Sequence, residues 1–325
     1  MGWTDEIDDV IGGDLTVALS YATPAGGAVA TAVAPIGLRD REAGWVGFTT
    51  SLGFGKKLDR IARDPRVALT YHARTHGTST SPRFVLVQGR AEIVSYPDQA
   101  LSNKVIEGAE RALGPAKHGR LFWDRWLREY YQIRVPVKVH VERIVTWPDL
   151  RCAGPPEVLG APRPAGPPAA QAPPGNGTGP RVDSRKAARR CTLLAHHLLA
   201  HLDADGWPTV LPIAIEGAVP DGIRLSAAPG LLPPGARRAG VLAHSYRPHL
   251  VGLTTRYLTG WLEADDDRAL YAPHTEAGFA APPNKTLLLL LNGGVAKWGV
   301  RSAIKQGKLE RAEGRLRPPE RSSSA

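Results

Sequence analysis

Proline decides the architecture of this chain before any other feature does. Nine prolines lie between Pro155 and Pro180, interleaved with Gly and Ala and almost free of large apolar side chains. Proline fixes φ and removes a backbone donor, and a stretch without bulky apolar residues cannot bury enough surface to fold alone. Residues 152–183 are therefore expected to be a semi-extended linker. It divides an N-terminal domain over 1–151 from a C-terminal domain over 184–300, with a basic tail over 301–325 expected to be disordered. At 325 residues, 42% hydrophobic and 22% charged, the chain has the length and composition for two globular cores.

The first half reads as strands around a short helix. Thr4–Ile11 is an acidic helix with Thr4 as N-cap, stopped by Gly12 and Gly13. Leu15–Tyr21 alternates as a strand, Thr23–Gly27 turns, and Ala28–Pro35 returns. After a charged turn over 39–44, Val46, Phe48 and Thr50 alternate with smaller or polar neighbours as a half-buried strand. Gly55, Lys56 and Lys57 open a helix in which Leu58 and Ile61 form one apolar stripe. Asp64-Pro65 ends it, because the residue before proline is pushed out of the α region. Val67–Tyr71 and Phe84–Val87 are β-branched and aromatic runs, the second leading into Gln88–Glu92. Pro97–Leu113 reads as a helix, and Leu121–Tyr131 as another with an aromatic face carrying Trp126 and Tyr130. Arg134–Thr146 alternates valines as a closing strand, so a small closed barrel is expected. A helix start bearing Lys56 and Lys57 suits an anionic group, through free N–H groups, the macrodipole and full charge. A solvated basic helix end fits the same residues.

Four segments together resemble a known family: Phe48-Thr49-Thr50-Ser51; Lys56-Lys57, with Lys57 eight residues before Pro65; Asp64-Pro65-Arg66-Val67-Ala68-Leu69; and Val87-Gln88-Gly89-Arg90-Ala91-Glu92. They look like the pyridoxamine 5′-phosphate oxidase-like split barrel, over roughly residues 10–150. The resemblance implies a flavin- or deazaflavin-dependent oxidoreductase that passes hydride to or from a small organic substrate. It implies FMN or a deazaflavin coenzyme in a groove between two barrels of a dimer. The phosphate would sit near Lys57, with Lys56 as a second charge, and the end of the strand at Thr49, Thr50 and Ser51 would bind phosphate and ribityl groups. No catalytic residue comes with the resemblance; Tyr71, His72 and Arg74 are candidates to border the ring. Two positions depart from the family. Small residues around Ala30–Ala32 stand where it has a basic side chain, and Phe84 stands where it has a flavin-binding glutamine. These favour the deazaflavin branch or a loosened flavin site over the vitamin enzyme itself.

Beyond the linker the pattern repeats. His201–Gly206 matches Tyr21–Gly26, Thr209–Ile215 matches Thr31–Gly37, and Gly222–Ser226 matches Gly44–Phe48. Val241–His244 matches Leu69–His72, and Thr259–Glu263 matches Gln88–Glu92. The expected fold class is thus a β-barrel with helices, two tandem split barrels of which the second has diverged. Where the first copy has Lys56, Lys57 and a helix, the second has Pro229–Arg238, whose adjacent Pro233 and Pro234 and two glycines forbid a regular helix. The second copy should not hold a phosphate in the same way. A homodimer and an internal pseudo-dimer are both compatible with the sequence.

Other features narrow the classes. A formal charge of +10 comes from scattered arginines and the basic tail, without a zinc-finger, helix-turn-helix or basic-aromatic pattern, so nucleic acid is not the expected partner. Two cysteines, Cys152 and Cys191, make neither a disulfide framework nor a metal spacing, and no metal is expected. The acidic N-terminus lacks a signal-peptide pattern and the apolar run Leu287–Leu291, for which Thr286 is a candidate cap, is too short to span a bilayer, so a cytoplasmic protein is expected. The rival reading is a haem-binding or non-catalytic split barrel: His196, His197, His201, His244 and His249 gather in the second half, and His72 and His244 hold equivalent positions.

Overall fold

A computed structural model describes residues 2–51, 55–94, 97–113 and 134–284. The expected helix over Leu121–Tyr131, with Trp126 and Tyr130, the run Leu287–Leu291 with Thr286, and the basic tail lie outside the described residues.

The first half forms strands β1 (Val17–Ala22), β2 (Ala28–Val33), β3 (Arg39–Asp40), β4 (Trp45–Ser51), β5 (Arg66–Tyr71), β6 (Phe84–Ile93), β7 (Arg134–Trp147) and β8 (Glu157–Gly160). They pair antiparallel in the order β2-β1-β5-β6-β7-β4-β3, with β8 on β7. A bridge between Ala34 and Thr49 joins the β2 end to β4 and closes the sheet into a barrel. Helix α1 (Asp5–Gly13) starts at Thr4, whose hydroxyl accepts from the Ile7 N–H, and buries Ile7, Val10 and Ile11. It runs through Gly12 and Gly13 and stops only at Asp14. Helix α2 (Gly55–Arg63) places Leu58 and Ile61 in the same core as Val46, Phe48, Val135 and Val137. Helix α3 (Gln99–Leu113) packs Leu101 and Val105 on Ile36, Leu38 and Trp45.

The second half forms β9 (His196–Leu202), β10 (Pro208–Pro212), β11 (Ala214–Val219), β12 (Gly222–Ser226), β13 (Gly235–Ser245), β14 (Thr254–Asp265) and β15 (Arg268–Ala280). Their order, β10-β9-β13-β14-β15-β12-β11, repeats the first sheet strand for strand. The agreement extends to single hydrogen bonds. In one hairpin the Thr23 N–H donates to Gly27 O and the Gly26 N–H to Thr23 O; in the other Asp203 donates to Trp207 and Gly206 to Asp203. Both strand pairs β6–β7 and β14–β15 slip register at one place, Gln88/Gly89 and Thr259/Gly260. At each bulge a methyl group on the glycine would be driven into a carbonyl oxygen across the strand, that of His140 or Ala272. The halves are two tandem split barrels, and helix α4 (Ser184–Thr192), capped by Asp183, occupies the place of α1. Sequence reading began the C-terminal domain at Ser184 but identified no helix there.

Two of the expected equivalences shift. Pro208 pairs with Leu202 as Ala28 pairs with Ala22, so Thr209 corresponds to Val29 rather than to Thr31. Ile223 lies across Tyr271 from Leu262, two residues after Gly260, as Val46 lies across Val139 from Ala91, two residues after Gly89. Ser226 therefore corresponds to Thr49, one residue later than expected, and in a strand one residue exchanges the faces. Between β12 and β13 the chain turns without a helix, as its prolines require.

The two halves share a third core. Ala18, Ala28, Ala30, Ala68, Phe84, Leu86, Val145, Trp147 and Cys152 of the first pack on Leu198, Ala200, Val210, Leu211 and Leu242 of the second. Each hairpin turn also meets the other half: Gly27 lies against Arg238, and the Gly206 turn against Arg66, which donates to Asp205 O at 3.4 Å. The buried Gln88 amide donates to Pro208 O at 2.8 Å and to Thr209 Oγ1 at 3.1 Å, while Arg143 pairs with Asp205 at 2.8 Å. The proline-rich segment is extended, as its composition demands, but docked. Glu157–Gly160 pairs with β7, Arg143 donates to Pro162 O at 2.5 Å, and Gln171 donates to Gly26 O at 2.8 Å while accepting from the Arg238 N–H at 3.0 Å.

Gly89→Ala and Gly260→Ala should each cost about 1–3 kcal/mol, the usual range for forced overpacking. Gly166→Ala, with open space around its Cα, should leave the melting temperature unchanged. Thermal unfolding of the three variants checks this, and equal melting temperatures would remove the bulges as a structural requirement.

Candidate functional site

Strand β4 delivers Thr49 to the mouth of a cationic cradle. Pairing of β4 with β7 sets Ser51 opposite Arg134, the first residue of β7. The Arg134 guanidinium donates to Thr49 Oγ1 at 3.4 Å. Lys57, half-buried in the first turn of α2, is the second cation. Burial holds its ammonium down to about 8, and the Arg134 charge beside it acts in the same direction. Lys57 in a helix start lies close enough to Arg134 to be depressed by its charge, and Arg134 bonds the Thr49 hydroxyl; such cations, a hydroxyl and helix N–H groups are donors suited to a multiply charged anion.

Of the five predicted cofactor residues, Thr49 and Lys57 come together here. Lys56 is exposed and does not share the burial of Lys57. Thr50 is buried, but alternation along β4 puts it on the core side with Val46 and Phe48. Ser51 ends the strand, and its side chain lies outside the described residues. Arg134 escaped the sequence reading, which took it only as the start of a strand. Its role is visible only once β7 is paired with β4.

The second half approaches the same region. The Thr49 N–H lies 3.5 Å from Ala34 O, and Ala34 packs with Ala73, Tyr246 and Leu250. Along α2, Arg60 hydrogen-bonds Tyr21, whose neighbour Tyr257 belongs to β14; burial pushes the Tyr21 hydroxyl above its ordinary value. A cleft of about 390 Å³ between α3 and the β2–β3 connection holds Asp8, Arg39, Arg41, Lys104, Glu107 and Arg111, and none of the cradle residues.

Of the histidines expected to gather in the second half, His196 and His244 meet His72 of the first. His72 Nδ1 is 2.9 Å from Thr70 O, which can only accept, so Nδ1 carries the proton and Nε2 the lone pair. His72 Nε2 is 2.7 Å from His244 Nε2, which must then be the donor. That leaves His244 Nδ1 a buried acceptor without a partner. The His196 ring lies 5.6 Å from His72 and 4.9 Å from His244, centre to centre. Burial drives His72 down to about 3 and His244 well below its ordinary value, so both are neutral. The other histidines are elsewhere: His197 bonds Cys191 O at 3.0 Å, His201 is buried in the second barrel, and His249 is exposed. Among the described residues no group of three or more histidine, cysteine or carboxylate side chains is arranged to hold a metal ion, and no helix is long and apolar enough to cross a membrane.

Fold and cradle together define a protein of two split barrels with a cationic cradle in the first. No protein-family model matches the chain, and no curated protein matches it. Among solved structures, a conserved hypothetical protein of Mycobacterium tuberculosis is 25% identical over 47% of this chain and 88% of its own, with a TM-score of 0.36. A pyridoxamine 5′-phosphate oxidase-related, FMN-binding protein of Nostoc punctiforme is 10% identical over 62% of this chain and 87% of its own, at 0.27. A FAD-binding protein of Mesorhizobium loti is 19% identical over 44% and 94%, at 0.30.

Lys57 should titrate near 8 and move upward in Arg134→Gln, because one of the two causes of its depression is removed. The rate of amine acylation at Lys57 against pH, read by peptide mass spectrometry, checks this. Unchanged titration in the variant would separate the two cations.

Proposed function

We propose that this chain is a flavin-dependent oxidoreductase that holds the phosphate of its cofactor at Lys57, Arg134 and Thr49. The observation that carries the reading is the mutual closeness of the Lys57 and Arg134 charges beside the Thr49 hydroxyl and the α2 N-terminus. An ammonium, a guanidinium, a hydroxyl and helix N–H groups are the donors that a phosphate monoester accepts from. The family resemblance of the Thr49–Ser51 and Lys56–Lys57 segments agrees with the same group.

The flavin, FMN or its deazaflavin counterpart, would supply hydride transfer to or from a small organic substrate. Lys57 and Arg134 would neutralise and anchor the phosphate, and the Thr49 hydroxyl would fix its orientation. The buried seam behind them keeps water from that side. The second half has neither lysines nor a helix between Ser226 and Gly235, so one cofactor per chain is expected. We also infer that the reciprocal contacts of Arg66 and Arg238 are the two sides of a dimer-like interface supplied by one polypeptide. A monomer is then sufficient.

Titration of the full chain with FMN and with the deazaflavin coenzyme, followed by fluorescence, tests the reading and chooses between them. Lys57→Ala and Arg134→Gln should each weaken binding about 10–100-fold, the worth of one hydrogen bond to a charged group. Binding should weaken above pH about 8 as Lys57 loses its proton. Sedimentation should give a monomer carrying one cofactor. Absence of binding to either compound would overturn the proposal, and two equivalent sites per chain would overturn the assignment to the first barrel.

A further inference from the structure

The seam between the barrels is mostly apolar, yet at one edge it buries two imidazoles, His72 and His244, beside a half-buried third, His196. We propose that His72 and His244 form a proton-controlled latch between the two halves, closed when the pair shares one proton and released when it takes up a second. The geometry carries this. Each Nε2 points at the other across the seam at 2.7 Å, one from the first barrel and one from the second. A single proton between two nitrogens makes a hydrogen bond; two protons there set N–H against N–H at contact distance. His72 cannot turn its other nitrogen to the partner, because Nδ1–H is held by Thr70 O. His244 can take the extra proton on Nδ1, which faces no acceptor, so the charge would stay buried without a partner.

Among the described residues, no anion acts on either ring to absorb that charge directly. From β9 come His196 and His197, and from the residue after β13 Tyr246, whose ring lies 6.1 Å from His244 and whose hydroxyl donates to Thr75 O at 2.8 Å. From the loop after β5 comes Arg74, whose pull on His72 is again against a positive charge. Asp14, whose charge reaches Tyr246, is bound to Arg74 at 2.6 Å and buried.

The sign follows from linkage. Histidines with an ordinary value of 6.5 that are held down in the closed state, His72 to about 3 and His244 well below its ordinary value, bind protons preferentially when the seam opens. The latch is therefore fully closed above about 6.5 and weakens as the pH falls from there toward 3. Asp14 works the other way, since burial raises its carboxyl to about 7 and acid relieves that cost. Comparing variants at matched pH cancels the Asp14 contribution.

Cys152 sits in the seam core and Cys191 in the core of the second barrel, so the two thiols report separate events. Labelling of each by a dithiodipyridine at pH 7.5 and pH 5, normalised to a free thiol at the same pH, measures the opening. For one histidine regaining its ordinary value, Cys152 should label about thirty-fold faster at pH 5, with Cys191 unchanged. His72→Gln/His244→Gln keeps an amide hydrogen bond at the same place but cannot be charged, and should abolish the acceleration. No acceleration in the wild type, equal acceleration in the double variant, or parallel labelling of both cysteines would overturn the latch. Should the double variant fail to fold, nitrogen-15 imidazole spectra of the wild type decide the matter. The expected state at pH 7.5 is His72 protonated on Nδ1 and His244 on Nε2, both becoming imidazolium over the range in which Cys152 opens. Identical tautomers, or a charged ring at pH 7.5, would overturn it.

Discussion

The contact on which the rest of this structure depends is the face-to-face packing of two sheets through alanine. Ala18, Ala28, Ala30 and Ala68 turn outward from the first barrel, and Ala200 answers from the second. Side chains this short let two backbones approach, and Leu198, Val210, Leu211 and Leu242 fill the remaining space. A basic residue at Ala30 would have to bury its charge in this interface. The same contact lets polar groups bridge the halves at fixed geometry: Gln88 to Pro208 and Thr209, Arg143 to Asp205, and His72 to His244.

Much of this was legible in the sequence because it rests on local rules. Thr4 as an N-cap, Asp64-Pro65 as a helix stop, the alternating valines of β7 and the hairpins at Gly26 and Gly206 are each decided within a few residues. The repeat was legible for the same reason, since turns and bulges carry glycine. Its register was less so. The chain from Thr209 to Ile223 is shorter than that from Val29 to Val46, so reading both segments at one offset put Gly222–Ser226 one residue early and Thr209 two residues away from its true counterpart. Helix α4 was hidden because Arg185, Lys186, Arg189 and Arg190 mask an apolar stripe made only of Ala187, Ala188 and Cys191.

The cradle shows the limit more sharply. Lys57 and Thr49 could be found because they sit within one strand–loop–helix unit. Arg134 could not, because it is brought to Thr49 by a strand pairing made far along the chain. Thr50 looked equivalent to Thr49 in a run of hydroxyls, but the two-residue period of a strand sends neighbours to opposite faces. The cluster of histidines misled for a similar reason. His197 and His201 share the inner face of β9, so His196, on the outer face, is the one that reaches the seam.

Duplication within one chain also frees the two halves from being the same, and the histidine pair shows why that matters physically. His72 and His244 hold equivalent places near the axis that relates the barrels. In a dimer of identical chains, two neutral imidazoles so placed would still have to choose one donor and one acceptor, and the choice would be arbitrary. Here the sequence makes it. Thr70 O fixes the His72 tautomer, and His244 has no corresponding partner on Nδ1, so the single proton has one place to sit. The same freedom lets Pro229–Arg238 run without a helix while Gly55–Arg63 keeps one, because on one polypeptide a change in either half leaves the other untouched.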